Sequence, residues 1–446
     1  MITILVYSNH VELAEKLSLL SYSAKYDASC ASSGSGKGRG SRGEGFSFGS
    51  CVPAGVCHSW TEDGRCVSLL KVLFSNACRY DCAYCVNRVS ADTRRTSFTV
   101  DELVSLTCEF YRRNYIEGLF LSSGIFADPD IVMEKLIETA RKLRSEAGFG
   151  GYIHLKIIPG TGEKLLRQAG IWADRISANI ELPTDKSLQN LAPQKSGSAI
   201  LGSMKNTFNI EAENEEDRRK SRLGGKSPVP VFAPAGQSTQ LIVGVSPEND
   251  KTILNLSGAL YSKYSLRRVY YSAFIPVGVP GGDGIPDHRL PEITGPPLAT
   301  EQSGPPRSLL LREHRLYQAD WLLRFYGFRP GEVLEGNDGF LETQVDPKTA
   351  WALRHLDRFP VEVNRADYEE LLRVPGIGAK SARRIIETRR SRSLNFDNLR
   401  RLGVVLKRAR FFLTAAGAFI ERPEDPRRIR RFLSDEDALQ PLLFEF

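Results

Sequence analysis

The chain has 446 residues, of which 41% are hydrophobic and 25% charged, and its formal net charge is +7. This length is enough for two or three domains, and the composition is typical of a protein with an ordinary buried core. The apolar stretches fall short of the roughly 20 residues that span a bilayer, and the start lacks the basic leader of a signal peptide. We therefore expect a cytoplasmic protein with no membrane partner, whose eight cysteines serve as metal or redox ligands.

Residues 1–66 are predicted to form an N-terminal helix followed by a cysteine-containing flexible segment. The segment is rich in Gly and Ser over residues 31–50, which indicates flexibility. Cysteines on both sides of it could bind a second iron–sulfur cluster or a zinc ion as an auxiliary site, with His58 as a spare ligand. These cysteines are Cys30, Cys51, Cys57 and Cys66. Their spacing fits no standard signature, so ordinary buried or surface thiols are the alternative.

Three further cysteines lie close together after an apolar run that predicts a strand over about residues 68–74. They are Cys78, Cys82 and Cys85, spaced Cys-x3-Cys-x2-Cys, and Tyr84 stands directly before the last one. Three thiolates on one loop can hold three irons of a [4Fe–4S] cluster and leave the fourth iron open to a substrate or cofactor. Zinc is the alternative, although a structural zinc site usually takes four ligands in two separated pairs.

The middle of the chain alternates predicted strands and helices. Further strands are predicted at residues 119–121, 152–158, 175–182, 239–245 and 269–277. Helices are predicted at residues 99–115, 131–144, 163–169, 251–264 and 311–325. A capping box of Thr99 with Glu102 and the pair Asp128-Pro129 mark two helix starts, and Gly170 is expected to stop the third helix. Six β/α units in a row predict a parallel sheet with helices outside it, and the cysteine loop follows the first strand.

The cysteine motif and this order of elements resemble the radical S-adenosylmethionine (radical SAM) enzymes. The resemblance implies an α/β fold class, with a partial (β/α)6, TIM-like radical SAM barrel over residues 67–330. In that family the open iron of a [4Fe–4S] cluster chelates the methionine end of S-adenosylmethionine. A one-electron donor such as flavodoxin or ferredoxin then drives cleavage to a 5′-deoxyadenosyl radical, while the protein supplies geometry and excludes water.

The resemblance also implies cofactor contacts at the carboxyl ends of the strands. The implied residues are Tyr84, Ser123, Gly124, Asn179, Glu181 and Gly244. Asn179 and Glu181 could bond ribose hydroxyls, and Lys156 could meet a carboxylate, but solvated strand ends are the alternative for each. Insertions at about residues 193–237 and 276–307 could cover the mouth of the barrel or be disordered spacers.

Residues 371–386 predict a helix, a tight turn and a second helix, and the turn reads Pro-Gly-Ile-Gly. This pattern resembles a helix-hairpin-helix DNA-binding motif, so residues 331–446 are expected to form an all-α nucleic-acid-binding domain. Glycines bring the backbone close to a ligand, and a helix N-terminus faces a phosphate. The implied phosphate contacts are Pro375, Gly376, Ile377, Gly378, Lys380, Arg383 and Arg384.

A second, degenerate copy follows 27 residues later and aligns Gly376 with Gly403 and Lys380 with Lys407. Residues 354–410 hold 15 Lys and Arg against 7 Asp and Glu, an excess of +8. We therefore predict non-specific, strongly salt-dependent binding to the phosphate backbone of DNA. The alternative is that the hairpins mediate helix packing or protein contacts, above all in the second copy.

The combination resembles the DNA modification and DNA repair radical SAM proteins. Further local matches are Lys25–Cys30, Cys57–Trp60 and Gln237–Gly244. The resemblance implies an enzyme that modifies or repairs DNA, and it allows for a partner nucleic-acid enzyme. Two alternatives stay open: a tRNA-modifying radical SAM enzyme, and a non-catalytic DNA-binding iron–sulfur protein in which the protein ligates all four irons.

Overall fold

The computed structural model describes residues 2–24, 56–60, 66–224, 227–275, 289–290, 307–422 and 425–434. The chain divides into two compact units. The first, here called the sheet unit, comprises residues up to Pro247 and Leu260–Leu309; the second, the hairpin unit, comprises Glu248–Ala259 and Leu310–Leu443. Within the described ranges, every helix is too short or too polar to span a bilayer.

The sheet unit contains one sheet of seven strands, whose order in the sheet is their order in the sequence. The strands are β1 (Val56–Trp60), β2 (Cys66–Leu73), β3 (Gly118–Ser122), β4 (Tyr152–Lys156), β5 (Arg175–Ser177), β6 (Gln237–Val243) and β7 (Arg268–Ala273). Strands β2 to β7 are parallel, while β1 pairs with β2 in the antiparallel direction. The predicted partial (β/α)6 arrangement is confirmed, and β1 is an addition that the sequence analysis did not predict.

Most of the helices in the first 264 residues connect these strands. They are α1 (Ile2–Ala24), α2 (Val100–Arg112), α3 (Pro129–Ser145), α4 (Glu163–Trp172), α5 (Asp185–Leu191), α6 (Gly197–Leu223) and α7 (Asp250–Tyr264). Two predicted helix starts are confirmed: Thr99 and Glu102 form the capping box of α2, and Asp128 caps α3 ahead of Pro129. Residues 197–223 of the first predicted insertion form a regular helix rather than a disordered spacer.

Several predicted element ends differ from the observed ones, and two of them bear on packing and on the site. Helix α4 continues through Gly170 to Trp172. Glycine is required at position 170 for space, since a Cβ atom there would lie 1.9 Å from the ring of Phe232. Strand β5 ends at Ser177 instead of Leu182, so the chain is free to turn over residues 178–182.

The register of the parallel strands sorts their side chains onto two faces. One face is apolar and buried, with Leu70, Val72, Leu119, Leu121, Ile153, Leu155 and Ile176. The other face is also buried but mixed. It carries the polar side chains of Lys71, Ser122, His154, Ser177, Ser238 and Gln240 together with the apolar ones of Leu69, Leu73 and Phe120. Right-handed crossovers between sequential strands place the helices on one side of a sheet. The helices therefore cover the apolar face, and the mixed face lines the inside of the partial barrel.

The hairpin unit is mainly helical. Its helices are α8 (Arg307–Phe325), α9 (Pro330–Val333), α10 (Pro347–Arg354), α11 (Tyr368–Arg373), α12 (Ala379–Arg389), α13 (Phe396–Arg401), α14 (Leu406–Ala409) and α15 (Pro426–Leu433), with a 3-10 turn at Leu356–Arg358. The sequence predicts that the helix at residues 311–325 lies in the barrel. In the structure, α8 lies in the hairpin unit apart from its first three residues. The region predicted to be all-α also contains a small sheet of β8 (Val361–Glu362), β9 (Leu413–Ala415) and β10 (Ala418–Phe419).

The second predicted insertion, residues 276–307, lies almost wholly outside the described residues; Arg289 and Leu290 are described, and Arg307 begins α8. Arg289 belongs to the sheet unit and donates a hydrogen bond of 3.2 Å to the carboxylate of Asp81. That carboxylate also accepts from the backbone N–H of Ser90.

Candidate functional site

The cysteine loop leaves the carboxyl end of β2, and a single arginine organises it. The guanidinium of Arg95 donates to four backbone carbonyls, those of Asn76 (2.8 Å), Asn87 (3.0 Å), Arg88 (2.7 Å) and Ala91 (3.1 Å). These carbonyls lie before and after the three cysteines. One side chain therefore closes the loop around Cys78, Cys82 and Cys85.

Segments that follow two other strands hold the same loop from outside. The N–H of Ala83 donates to the carbonyl of Leu191 at 2.7 Å, at the end of α5. The N–H of Asp81 donates to the side-chain oxygen of Gln194 at 3.1 Å, and the N–H of Arg79 donates to the carbonyl of Ile125 at 2.8 Å. The cysteine loop is thus a fixed part of the carboxyl edge of the sheet.

The three thiols lie close enough to affect one another electrostatically. Cys82 is buried, while Cys78 and Cys85 are half-buried. Burial, and then the charge of Cys82, raises the pKa of Cys85 to about 12. Burial also raises the pKa of Cys82, against the lowering effect of the ammonium group of Lys195. Three thiolates here need a compensating positive charge, which a bound metal centre would supply.

A buried ion pair lies beside these thiols. The ammonium of Lys195 donates to the carboxylate of Glu181 at 2.6 Å and lies 5.8 Å from the centre of the Tyr84 ring. Burial opposes the charge on Lys195, but Glu181, Tyr84 and Cys82 together raise its pKa well above the usual value. Glu181 has a left-handed backbone with φ of 66°. It exchanges backbone hydrogen bonds with Gln240 and Ile242 of β6.

Ser123 and Gly124, the predicted cofactor contacts after β3, pack directly against the start of the cysteine loop. The N–H of Gly124 donates to the carbonyl of Ser75 at 2.7 Å, and the hydroxyl of Ser123 donates to the carbonyl of Gly124 at 2.7 Å. A Cβ atom at position 124 would lie 2.3 Å from the carbonyl oxygen of Ala77. Glycine is therefore required here for close approach of two backbones.

The other predicted cofactor residues occupy different surroundings. The hydroxyl of Tyr84 lies near the thiol of Cys82 but is buried without a well-aligned hydrogen-bond partner. Asn179 is buried and donates to the side-chain oxygen of Gln240 at 3.4 Å. Gly244 follows β6 with φ of 86° and lies against Leu309. Lys156, at the end of β4, pairs in register with Ser177. Tyr84 follows β2, Lys156 ends β4, Asn179 follows β5 and Gly244 follows β6. As cofactor contacts they all stay predictions.

The auxiliary cysteine site also stays a prediction. Cys30 and Cys51 lie outside the described residues. Cys57 lies in β1 opposite Leu69, and Cys66 lies in β2 opposite Trp60. Cys108 lies in α2, where its charged neighbours are Arg112 and Glu109.

The donor set fits an iron–sulfur cluster better than a single ion. In the described part of the chain, no three His, Cys, Asp or Glu side chains converge on a point that would hold one metal ion. In a [4Fe–4S] cluster each thiolate binds a different iron, so the cysteines need to be close but not convergent. Cys78, Cys82 and Cys85 meet this condition, and the orphaned hydroxyl of Tyr84 lies next to them.

The two predicted hairpins of the hairpin unit pack on each other. The N–H of Val405 donates to the carbonyl of Gly376 at 2.9 Å, and the hydroxyl of Ser381 donates to the carbonyl of Gly403 at 2.9 Å. Gly376 and Gly403 have φ of 83° and 89°. A Cβ atom on Gly376 would lie 2.5 Å from the carbonyl oxygen of Val405. The repeat is therefore a structural pair, in which each hairpin fixes the turn of the other.

The basic residues predicted from the first hairpin lie on one exposed helix. Lys380, Arg383 and Arg384 of α12 are exposed, whereas Pro375 and Ile377 of the turn are buried. Gly378 is the N-cap of α12 and has no side chain to accept from the first turn. The turn is thus a rigid support, and the cations and first-turn N–H groups of α12 are the parts that can meet a phosphate.

A buried lysine donates a hydrogen bond to the backbone of this turn. Lys348 donates from its Nζ atom to the carbonyl of Ile377 at 2.6 Å and lies 4.7 Å from the ring centre of Tyr326. Burial lowers the pKa of Lys348 to about 7, against the raising effect of Asp346. Burial raises the pKa of Tyr326, against the lowering effects of the side chain of Trp321 and the backbone of Ala379 near its hydroxyl.

Comparison with known proteins gives one match in sequence and several in structure. Residues 358–407 match the helix-hairpin-helix motif family, which confirms the predicted motif. No curated protein matches the sequence significantly. The hydrogenase maturase HydG from Carboxydothermus hydrogenoformans is 13% identical with a TM-score of 0.35, and the match covers 46% of this chain and 44% of HydG. This chain thus spans less than half the length of HydG.

Two further solved structures are similar to a comparable degree. Methylornithine synthase (PylB) is 15% identical with a TM-score of 0.35, over 74% of this chain and 84% of PylB. Coproporphyrinogen III oxidase (HemN) from Escherichia coli, described as a radical SAM enzyme, is 12% identical with a TM-score of 0.31, over 54% of this chain and 50% of HemN. These similarities are too low to assign a function to this chain.

Sequence reasoning missed several residues that organise the two sites. Arg95 follows Arg94, and nothing in the sequence distinguishes the inward side chain from the exposed one. Lys195 was placed in an insertion, yet it pairs with Glu181 across 14 residues. Tyr326 and Lys348 lie outside the hairpin repeat. The only sequence signal for Lys348 is its place two residues after Asp346, the N-cap of α10.

Replacing Arg95 by Met should loosen the cysteine loop. The change leaves four carbonyls without their donor, which should cost about 1–3 kcal/mol of stability. The amides of the loop, including that of Ala83, should exchange faster with solvent in native-state hydrogen exchange. Arg94→Met is the matched control: Arg94 is exposed and forms a surface ion pair with Glu15. Its loss should change stability by less than about 0.5 kcal/mol, and equal effects of both changes would contradict the assignment.

Lys348 should make folding stability depend on pH. Its pKa is about 7 in the folded protein against 10.5 ordinarily, so between these values the unfolded chain binds a proton that the folded chain lacks. The free energy of unfolding should therefore increase as the pH is raised through this window, by up to about 1.4 kcal/mol per pH unit. Urea unfolding at several pH values should give a flatter profile for Lys348→Met than for the natural protein. Lys380→Met, at an exposed lysine, should keep the natural profile.

Proposed function

We propose that this protein is a radical SAM enzyme that acts on a nucleic acid, most simply on DNA. The observation that carries the proposal is the Cys-x3-Cys-x2-Cys loop at the carboxyl end of the first parallel strand of a (β/α)6 sheet. Three adjacent thiols on a fixed loop supply one ligand too few for a [4Fe–4S] cluster. Buried polar side chains on the inner face of the sheet, such as His154, Ser177 and Ser238, support the same proposal.

The residues that would hold the cofactors are Cys78, Cys82 and Cys85 for the cluster and the surrounding strand ends for S-adenosylmethionine. When bound, the two cofactors together supply a one-electron cleavage of the sulfonium that yields a carbon radical. Glu181 and Lys195 offer a carboxylate and an ammonium side by side, 2.6 Å apart. This charge pattern complements the amino and carboxylate groups of an amino acid.

The inner face of the sheet would receive the group to be modified. His154 and Ser177 share a hydrogen bond of 2.8 Å there, and the hydroxyl of Ser238 is buried without a partner. Buried polar groups are normally bonded, so Ser238 is available to a bound molecule. Their burial would also keep water away from a reactive radical.

The hairpin unit would bring the nucleic acid to the enzyme, since it belongs to the same chain. Lys380, Arg383 and Arg384 are exposed on α12 and would bind phosphates without reading sequence. We propose DNA before tRNA because the matched motif, residues 358–407, has the paired hairpin turns expected to lie along a duplex backbone. The protein would work in the cytoplasm with an electron donor such as flavodoxin or ferredoxin.

Anaerobic reconstitution of the full chain with iron and sulfide tests the enzyme proposal. With dithionite and S-adenosylmethionine, the reconstituted protein should release 5′-deoxyadenosine, detected by chromatography. Cys82→Ala should lose the cluster absorbance and the product, because the cluster then keeps only two protein ligands. Cys108→Ala, a cysteine on α2 with charged neighbours of its own, should retain both. A cluster-loaded natural protein that makes no 5′-deoxyadenosine would overturn the proposal.

Binding to duplex DNA at several salt concentrations tests the choice of substrate. Lys380→Gln should weaken binding equally for all sequences and reduce the slope of log Kd against log salt by about 1, the contribution of one phosphate contact. Fluorescence anisotropy measures both quantities. Lys205→Gln, at an exposed lysine of α6, is the control and should change neither. Tighter binding to tRNA than to duplex DNA at every salt concentration would favour the tRNA alternative.

A further inference from the structure

Two large aromatic side chains of α8 are exposed to solvent in the hairpin unit. Trp321 is 48% exposed and Phe325 is 44% exposed. They lie one helical turn apart, on the same side of α8, and their ring centres are 4.3 Å apart. Two adjacent exposed rings offer flat apolar faces on which a nucleobase can stack. Neither residue belongs to the matched helix-hairpin-helix segment.

A basic side chain completes this aromatic pair. The guanidinium of Arg324 lies 4.6 Å from the centre of the Phe325 ring and pairs with Asp320 at 3.4 Å. The carboxylate and the ring both contribute to holding its position. Two exposed rings beside a guanidinium suit a planar, electron-rich group attached to an anion.

Tyr326 connects the aromatic pair to the first hairpin. Its hydroxyl lies near both the side chain of Trp321 and the backbone of Ala379, the first residue of α12. A Cβ atom on Gly378 would lie 3.2 Å from this hydroxyl. The hydroxyl of Tyr326 is thus close to both Trp321 and the start of α12. The exposed cations of α12 begin at the next residue, Lys380.

We propose that Trp321 and Phe325 form a stacking surface for an unpaired nucleobase whose neighbouring phosphate is bound at the start of α12. The inference rests on the proposed binding of nucleic acid by the hairpin unit. Bases within a duplex are already stacked and present no free face, whereas an unpaired base can lie on an aromatic ring. The exposed cations of α12 complement the phosphates, and the rings complement the base. The hairpin unit should therefore prefer a duplex that carries an unpaired base over a fully paired one.

Binding of the full chain to two DNA probes tests this proposal. One probe is a blunt duplex, and the other is the same duplex with a short single-stranded extension. The natural protein should bind the extended probe about tenfold more tightly, the gain expected for one stacked base. Trp321→Ala should remove this gain and leave binding to the blunt duplex within about twofold. Phe340→Ala, at another exposed aromatic of the hairpin unit (47% exposed), should keep the preference.

Tryptophan fluorescence gives a second readout, which a merely structural role of Trp321 would not produce. The chain has four tryptophans, so the signal of Trp321 is the difference between the natural protein and Trp321→Phe. A base stacked on the indole should quench that difference signal on addition of the extended probe but not of the blunt duplex. Trp321→Phe keeps an aromatic ring and should retain most of the preference.

The outcomes separate this proposal from the one on which it rests. If the natural protein binds neither probe, nucleic-acid binding itself is overturned. If it binds both equally, or if Trp321→Ala weakens both equally, the stacking surface is overturned while hairpin binding stands. Tyr326→Phe keeps the ring but loses the hydroxyl beside Gly378 and Ala379, so it should weaken both probes alike and leave their ratio unchanged. A change of the ratio in Phe340→Ala as large as in Trp321→Ala would also overturn the proposal.

Discussion

The buried ion pair of Glu181 and Lys195 is the interaction on which the sheet unit's site depends. Removing two charges from water costs several kcal/mol per ion unless they are well paired, and this pair has an N–O distance of 2.6 Å. It places an ammonium near Tyr84 and the thiol of Cys82. Glu181 follows the end of β5 by four residues and has a left-handed backbone, so the chain leaves the strand before it places this carboxylate.

The cysteine loop is held in place by hydrogen bonds rather than by apolar packing. The loop itself contains few apolar side chains, yet Arg95 bonds four of its carbonyls, and segments after β3 and β5 bond its N–H groups. Such satisfied polar networks are rigid because each broken bond would leave a buried group without a partner. A metal centre bound to this loop would therefore meet ligands already near their final positions, which reduces the ordering that binding requires.

In the hairpin unit, the residues that stabilise the two turns differ from those proposed to contact a nucleic acid. Gly376, Gly403 and Ser381 fix the two turns against each other. Lys348 and Tyr326 hold the first turn from the interior. The exposed cations of α12 face solvent and are not among these stabilising residues. This division explains why the second copy can lose its proline and second glycine: its turn has only to bond the first hairpin.

The sequence by itself determined the order of the six parallel strands, the cysteine motif and the hairpin turn, because each depends on neighbours within a few residues. The capping box at Thr99 and the Pro-Gly-Ile-Gly turn are of this kind. Only the tertiary structure decided that Gly170 is needed for Phe232, that β5 ends early, and that Arg95 rather than Arg94 turns inward. It alone paired Lys195 with Glu181 and brought Trp321 to the start of α12. Such contacts join residues distant in sequence, whose approach depends on the packing of the whole unit and leaves no local pattern.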